Sequence, residues 1–383
     1  MSFENPQPES EKPKIEQEKS QEKVPGFDFE FYVTDHSADN ADTGNPEKLK
    51  ELYEDIKKDG VQSVRYDWHW RNVEPLAGTW SDEHLERYKK AKEIMQEVGL
   101  EEPTIILSNP PAWAVELYKI DKEKFFDAYR AYAEQVRDAV AQTEGPKIKR
   151  VQVLNELNNR VYTPVEVGDL PRVFEITREV FKTYNPDIKL MVTVLASNTT
   201  KLVGIPIEEY LPQLKAVKEG IDTIAVDYYP GLWHLPIKDA DTINPKEIFK
   251  SMVKNLGLLE KVYDEIATWD KEYELGEVGL PTKKLWGGEK AQRYFYDAFF
   301  RAYKHLLVDF RSRGIKLPSK VGFYEAMDEP PKDLRGKILR NTPFPEHDMG
   351  LRDETGKRKE ALERLSGIMS YLRAPMEAAE ETS

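Results

Sequence analysis

Residues 61–109, VQSVRYDWHWRNVEPLAGTWSDEHLERYKKAKEIMQEVGLEEPTIILSN, hold one complete strand–helix–strand unit. VQSVRYDWHW (61–70) is rich in β-branched and aromatic residues and reads as a strand. DEHLERYKKAKEIMQEVG (82–99) reads as a helix that closes on Gly99, as a helix C-cap would. PTIILSN (103–109) reads as the next strand.

The same unit recurs on both sides. Strands are expected at FDFEFYVTD (27–35), RVQVLNE (150–156), KLMVTVLAS (189–197), TIAVDYY (223–229), YELGEV (273–278) and KVGFYEAM (320–327). The eight starts are separated by 34, 42, 47, 39, 34, 50 and 47 residues. Helical stretches fit between them, among them PEKLKELYEDIKKDG ending in Gly60, KEKFFDAYRAYAEQVRDAVAQ, and EKAQRYFYDAFFRAYKHLLVDFRSRG. Alternating strands and helices predict a parallel sheet. Eight repeats favour a closed (β/α)8 TIM barrel over an open doubly wound sheet. The turn after the first strand, TDHSADNADTGNP, also lacks the glycine-rich fingerprint of a dinucleotide fold.

The eight units use residues 26–373 and leave no room for a second domain. Residues 1–25 contain only Met1, Phe3, Ile15 and Val24 as apolar side chains. Such a segment cannot bury enough surface to offset its ordering entropy, so a disordered tail is expected. Residues 374–383 are expected to fray.

Composition excludes several functions. The chain of 383 residues has 56 Lys+Arg against 69 Asp+Glu, a net charge of −13. That argues against nucleic acid and against an anionic membrane surface as partners. With no cysteine, there is no disulfide framework, thiolate metal site or Cys nucleophile. No apolar run exceeds four residues, too short for a membrane span. The first 25 residues lack the apolar core of about 7–15 residues that a secretory signal needs, so the cytoplasm is the expected compartment. The six histidines form no HExxH and no i,i+4 pair, so no metal site is expected from them. A carboxylate-only magnesium site stays open. No P-loop or GxSxG elbow occurs, and no cofactor is expected.

In a barrel of this kind, working groups project from the C-terminal strand ends. There the sequence places carboxylates and aromatic rings, with Glu156 and Glu277 each finishing an apolar strand. Strands four and seven lie across a barrel from each other, so the two carboxyls can flank one bond. Glycosidic hydrolysis needs such a pair: an acid for the leaving oxygen, and a carboxylate that attacks the anomeric carbon or activates water. Glu274 is a local rival to Glu277, although in a regular strand only alternate residues share a face. Glu325, Asp328 and Glu329 form a second rival cluster whose plain role is loop structure. Arg65 either pairs a barrel-core carboxylate or holds a working one ionised. Trp68, Trp70, Trp113 and Trp233 are either core residues or platforms for sugar rings. His36, His69 and His234 read as hydrogen-bonded loop residues.

Six segments, in order, resemble clan A of the glycoside hydrolases, the retaining (β/α)8 enzymes. Asn155-Glu156 in VQVLNELNN matches the strand-four acid/base pair, and Glu277 in YELGEVGLPT the strand-seven nucleophile. VRYDWHWRNVEPLAGTW carries Arg65 and a turn at Glu74-Pro75, and SNPPAWA resembles the end of strand three. DYYPGLW resembles strand six, with Tyr229 as the tyrosine that contacts the nucleophile. FYEAMDEPPK, followed by GLRDETGKRKEAL, resembles strand eight and the closing helix of family 17-like and family 39-like members. Three positions depart from the commoner pattern: LNELNN replaces W-N-E-P, Pro331 replaces a Trp, and Tyr228 stands where many relatives have His.

The resemblance implies a retaining hydrolase of β-glycosidic bonds in an oligo- or polysaccharide. Glu156 and Glu277 would be its catalytic residues. Arg65, Asn109, Trp113, Asn155, Tyr228, Tyr229, Trp233 and Glu325 would line the substrate, with Asn155 on the 2-hydroxyl. Transglycosylation by the same pair is one alternative. A sugar-binding barrel without turnover is another.

Overall fold

The computed structural model describes residues 25–39, 44–101, 103–196, 204–229, 245–282, 287–328 and 348–375. Its strands are β1 (Glu30–Asp35), β2 (Ser63–Asp67), β3 (Thr104–Leu107), β4 (Arg150–Val153), β5 (Lys189–Leu195), β6 (Thr223–Tyr228), β7 (Glu272–Val278) and β8 (Lys320–Phe323). Each pairs in parallel with the next, and β8 returns to β1 through Phe31 opposite Val321, so the sheet closes as a barrel. This is the (β/α)8 architecture expected from the alternation.

The helices between the strands are α1 (Pro46–Lys58), α2 (Trp70–Val73), α3 (Asp82–Val98), α4 (Ala112–Ile120) and α5 (Lys122–Gln142). They continue with α6 (Leu170–Lys182), α7 (Ile207–Lys215), α8 (Pro245–Ala267), α9 (Gly288–Ser312) and α10 (Glu360–Arg373). Local sequence explains their ends. The Asn45 side chain accepts from the Glu47 amide, with Pro46 in the first turn of α1. Ser81 accepts from the His84 amide at the start of α3, and Gly99 ends it at φ +69°. Asp121 caps α5 by accepting from the Lys124 amide.

Each helix buries one stripe. On α5 it runs Phe125, Tyr129, Tyr132, Val136 and Val140, at helical spacing. Trp70 stacks on Tyr132 with ring centroids 5.0 Å apart, and Trp68 packs 5.1 Å from Tyr88. Both tryptophans are at most 1% exposed, which places them in the core and settles their two open readings. On the opposite side Phe300 of α9 packs 5.5 Å from Phe323 of β8, with Phe299 and Tyr303 against Phe300. Helix α10 closes the ring: Lys304 of α9 donates to the carbonyls of Tyr371 and Ala374 at 2.5 and 2.8 Å.

Several strands stop sooner than their sequence suggests. VQSVRYDWHW leaves the sheet after Asp67, PTIILSN after Leu107, RVQVLNE after Val153 and KVGFYEAM after Phe323. Asn109, Leu154 and Glu156 have φ of +52°, +61° and +44°, which a strand cannot contain. The apolar pattern runs on past the sheet because these loops are still buried at the barrel mouth. The expected tail up to residue 24 and residues 376–383 lie outside the described residues. Among the described residues no helix is long and apolar enough to cross a membrane.

Candidate active site

The site is built on the C-terminal ends of β2, β4, β5, β6 and β7. Glu156 sits in the first loop after β4. A non-glycine residue in the left-handed region costs on the order of 1–3 kcal/mol, so its surroundings must hold it there. They do so through both backbone groups. The Glu156 amide donates to the Thr193 hydroxyl at 2.7 Å, and its carbonyl accepts from the Asn159 amide at 2.6 Å. The Asn159 side chain donates to the Glu156 carboxylate at 2.6 Å. Leu154, equally strained, is pinned by its amide on the Leu107 carbonyl and by Gln152 on its own carbonyl.

Glu277 is aimed by a bulge. Along β6 and β7, Val226 faces Leu275 but Asp227 faces Glu277, so Gly276 is one residue extra. The bulge turns both Glu274 and Glu277 into the barrel, at different depths. A Cβ on Gly276 would lie 2.2 Å from an oxygen of Asp227 and 2.9 Å from Ala225. Only glycine fits there. Glu274 lies deeper, bonded to Arg150 at 2.7 Å and to the Tyr32 hydroxyl at 3.0 Å.

The two carboxyls of the pair have different partners. Glu277, 4% exposed, takes Arg65 on one oxygen and the Tyr229 hydroxyl on the other. The hydrogen bond from Asn159 to Glu156 comes from a neutral amide. Burial, with the Asp227 and Glu156 charges adding to it, raises the Tyr229 phenol well above its usual range, so it stays a donor. Burial alone would weaken the Arg65 proton, but Asp227 and Tyr32 hold its pKa above the ordinary value. Asp227 is fully buried 3.8 Å from Arg65. Burial pushes its carboxyl up to about 7, against the pull of Arg65 and Thr193. One carboxyl oxygen from each of Glu156, Asp227 and Glu277 lies within 4.8 Å of the other two. The three could share a cation, but the Arg65 guanidinium already supplies positive charge to two of them.

A second polar chain runs beside this cluster. His36 bonds Asp67 through Nδ1, and its Nε2 is 3.9 Å from Glu325. Asp67 is 2.9 Å from Nε2 of His69, whose Nδ1 is 2.6 Å from Asp39. Tyr88 donates to Asp39. Burial would raise the Asp67 carboxyl, but His69 and His36 hold it well below its usual value. Burial would depress His69, yet Asp39 and Asp67 raise it. His36, Asp39 and His69 also come close enough for a metal ion, but both nitrogens of His69 are already engaged by carboxylates.

The other sequence-selected residues separate. Asn155 is half-buried, and its side-chain oxygen accepts from Gln152 at 2.9 Å and Thr193 at 3.2 Å. Asn109 stands at the rim after β3 and accepts the Arg71 amide on its carbonyl. Trp113, half-buried in the first turn of α4, meets Trp70 edge-on at 5.6 Å and donates to the Glu74 carbonyl. Glu325 is fully buried at the end of β8, beside His36. Tyr228 is a correction. Alternation along β6 sends Asp227 inward and Tyr228 outward, where it packs 6.0 Å from Phe299 of α9 rather than at the mouth. Trp233, His234 and Glu329 lie outside the described residues. Asp328 accepts from Lys359 at 2.6 Å and from the Gly350 amide at 2.8 Å, the loop role anticipated for it.

Sequence reasoning gave Asp227 no role beyond its place at the end of strand six, and missed Thr193, Asn159 and the His36–Asp67–His69–Asp39 chain as a unit. Alternation on TIAVDYY, with Tyr229 facing inward, would have selected Asp227 over Tyr228. A cavity of about 670 Å³ opens at the opposite end of the barrel, between Glu30, Arg150, Lys189, Glu272 and Lys320. Two ion pairs cross its wall, Lys189 to Glu272 at 2.8 Å and Lys320 to Glu30 at 2.5 Å, and it lies far from this cluster.

No family model matches the chain, and no curated protein matches it. Solved structures do. A family 39 glycoside hydrolase from Bacteroides cellulosilyticus superposes with TM-score 0.56 at 17% identity, over 90% of this chain and 64% of that one. An exo-β-1,4-mannosidase from an Opitutaceae bacterium gives TM-score 0.59 at 15% identity, over 90% of this chain and 60% of that one. GH5_18 from Streptomyces cattleya in complex with GlcNAc gives TM-score 0.64 at 15% identity, over 94% and 82%. The chain thus spans less than two thirds of the first two. At these identities the likeness concerns the fold, and the chain has the (β/α)8 barrel found in glycoside hydrolases of families 39 and 5.

Proposed function

We propose that the chain is a retaining glycoside hydrolase that cleaves β-glycosidic bonds in an oligo- or polysaccharide. The observation that carries this reading is the Glu156–Glu277 pair. Their carboxyl oxygens come within 4.8 Å at the barrel mouth. Retaining enzymes hold their carboxyls roughly 5–5.5 Å apart, whereas inverting ones need roughly 6.5–9.5 Å to admit water. The settings of the pair also divide the labour. Glu277, held by Arg65 and Tyr229, is suited to be an anion. Glu156, hydrogen-bonded by the neutral Asn159 amide and near two other carboxyls, is suited to carry a proton.

In the first step a Glu277 oxygen attacks the anomeric carbon. The glycosidic C–O bond breaks as Glu156 gives its proton to the leaving oxygen. In the second step Glu156 takes a proton from water. That water attacks the same carbon, the bond to Glu277 breaks, and the sugar leaves with its configuration retained. Asn155, whose amide oxygen is used within the wall, offers its NH2 group to the 2-hydroxyl. Asn109, Trp113 and Glu325 line the remaining sugar surface in this reading.

A hydrolysis screen on aryl β-glycosides and β-linked oligosaccharides tests it. The names of the structural neighbours put β-mannosides and N-acetylglucosamine-containing chains first in the screen. Turnover with retention at the anomeric carbon, lost in Glu277→Ala, is the expected result. Glu156→Ala should keep activity on aryl glycosides with activated leaving groups. Product of inverted configuration, or equal activity of Glu277→Ala and wild type, would overturn the assignment. Binding of oligosaccharide without turnover would favour a binding barrel.

A further inference from the structure

Asp227 has no part in the two steps above, yet the fold makes room for it. The bulge in β7 and the missing side chain at Gly276 leave the space that its carboxyl fills. It stands beside Arg65, the same guanidinium that holds Glu277, and within 4.8 Å of Glu156 and Glu277. We propose that Asp227 is a positioning residue that shares Arg65 with Glu277 and uses its own charge to keep the proton on Glu156 as pH rises. The inference deepens the glycosidase reading, because it assigns the pH range of that same pair.

The charged and titratable neighbours enter this balance, with Asp67 of β2 also acting on Arg65 and Tyr162 on Tyr229. Arg65 comes from β2, Glu156 from the loop after β4, Tyr229 from the end of β6, and Glu274 and Glu277 from β7. Tyr32 of β1 also feels the Asp227 charge, and the uncharged Thr193 of β5 faces it. Arg150 neutralises Glu274 one layer below. Burial pushes the Asp227 carboxyl up to about 7, so on this proposal it holds a proton below neutrality and leaves Arg65 to Glu277. Above neutrality Asp227 ionises. Its negative charge then stands against a second negative charge on Glu156, so Glu156 gives up its proton later.

The test uses the full chain and the variant Asp227→Asn, which keeps the shape and removes the charge. The pH profile of kcat/KM should keep its acid limb, because Asp227 is neutral there in the wild type. Its alkaline limb should move to lower pH by about one unit, the scale of one charge a few ångströms away. A uniform fall at all pH values, with both limbs in place, would mean a structural role only and would overturn the proposal. A second readout needs no substrate. With 13C-labelled carboxyl groups, the Glu156 signal in the wild type should respond in two steps, the later one coinciding with Asp227. In Asp227→Asn it should titrate in one step, at lower pH. If the variant does not fold, the wild-type titration decides: a single step, blind to Asp227, overturns the proposal. If Glu156 behaves as expected while no glycoside is cleaved, the coupling stands and the glycosidase reading falls.

Discussion

Arg65 and Glu277 form an ion pair across the barrel interior, from β2 to β7, with side chains 1% and 5% exposed. Asp227 faces the same guanidinium at 3.8 Å. Removing one partner of a buried pair strands the other, at a cost of about 3–5 kcal/mol. Arg65→Met should therefore lose stability on that scale in urea unfolding at neutral pH. Part of the loss should return at acid pH, where the stranded carboxyls take up protons. A loss that is the same at all pH values would show that packing, not charge, is what Arg65 contributes.

Tyr229→Phe removes the hydroxyl that donates to Glu277 and keeps the ring, which meets Tyr324 edge-on at 5.8 Å. A hydrogen bond to a charged group contributes about 1.5–3 kcal/mol. On the glycosidase reading, kcat/KM should fall by about 10- to 100-fold. The melting temperature should also fall, by a few degrees, because the same bond contributes to the folded state. A variant as active as wild type would remove Tyr229 from the working site.

The His36–Asp67–His69–Asp39 chain gives a prediction about pH and stability. Asp67 is held below its ordinary value of 3.8, so its contribution is present above that pH and is lost as pH falls through the folded value. His69 is held above 6.5, so its contribution is full below that pH and is lost as pH rises through the folded value. The chain therefore stabilises most between those limits. Asp67→Asn leaves two imidazoles without the anion between them. Its deficit, about 3 kcal/mol by denaturant unfolding, should be largest near pH 5 and shrink toward both extremes. A deficit that grows steadily with pH would contradict a charged His69.

Gly276→Ala puts a Cβ 2.2 Å from the Asp227 carboxyl and 2.9 Å from Ala225. Strand β6 or β7 must shift, and such overpacking costs about 1–3 kcal/mol. Because Glu277 follows at once, activity should drop further than stability alone accounts for. Comparing the melting temperature with kcat/KM at a temperature where both proteins are folded separates the two effects.

The barrel was legible because strand and helix periods are local properties. Residues 61–109 show both, and Gly60 and Gly99 mark where two helices stop. Glu156 and Glu277 could be selected because each ends an apolar run, which in a parallel barrel places it at the mouth. Tyr228 was misplaced for a simple reason. DYY offers two tyrosines, and only the inward direction of Asp227 decides which of them faces the site. Trp68 and Trp70 read equally well as core or platform, since an aromatic ring suits both settings. Trp68 is buried against Tyr88 of the next long helix and Trp70 against Tyr132 of α5, and only folding brings those rings together.

The sequence by itself therefore determined the eight alternating units, the acidic surface and the two glutamates, because these follow from composition and short-range period. Tertiary structure alone decided which charges share a partner. Arg65, Asp227 and Glu277 are brought together only by closure of the barrel and a one-residue bulge at Gly276. Their ionisation depends on distance and burial, and neither is encoded within any single stretch of the chain.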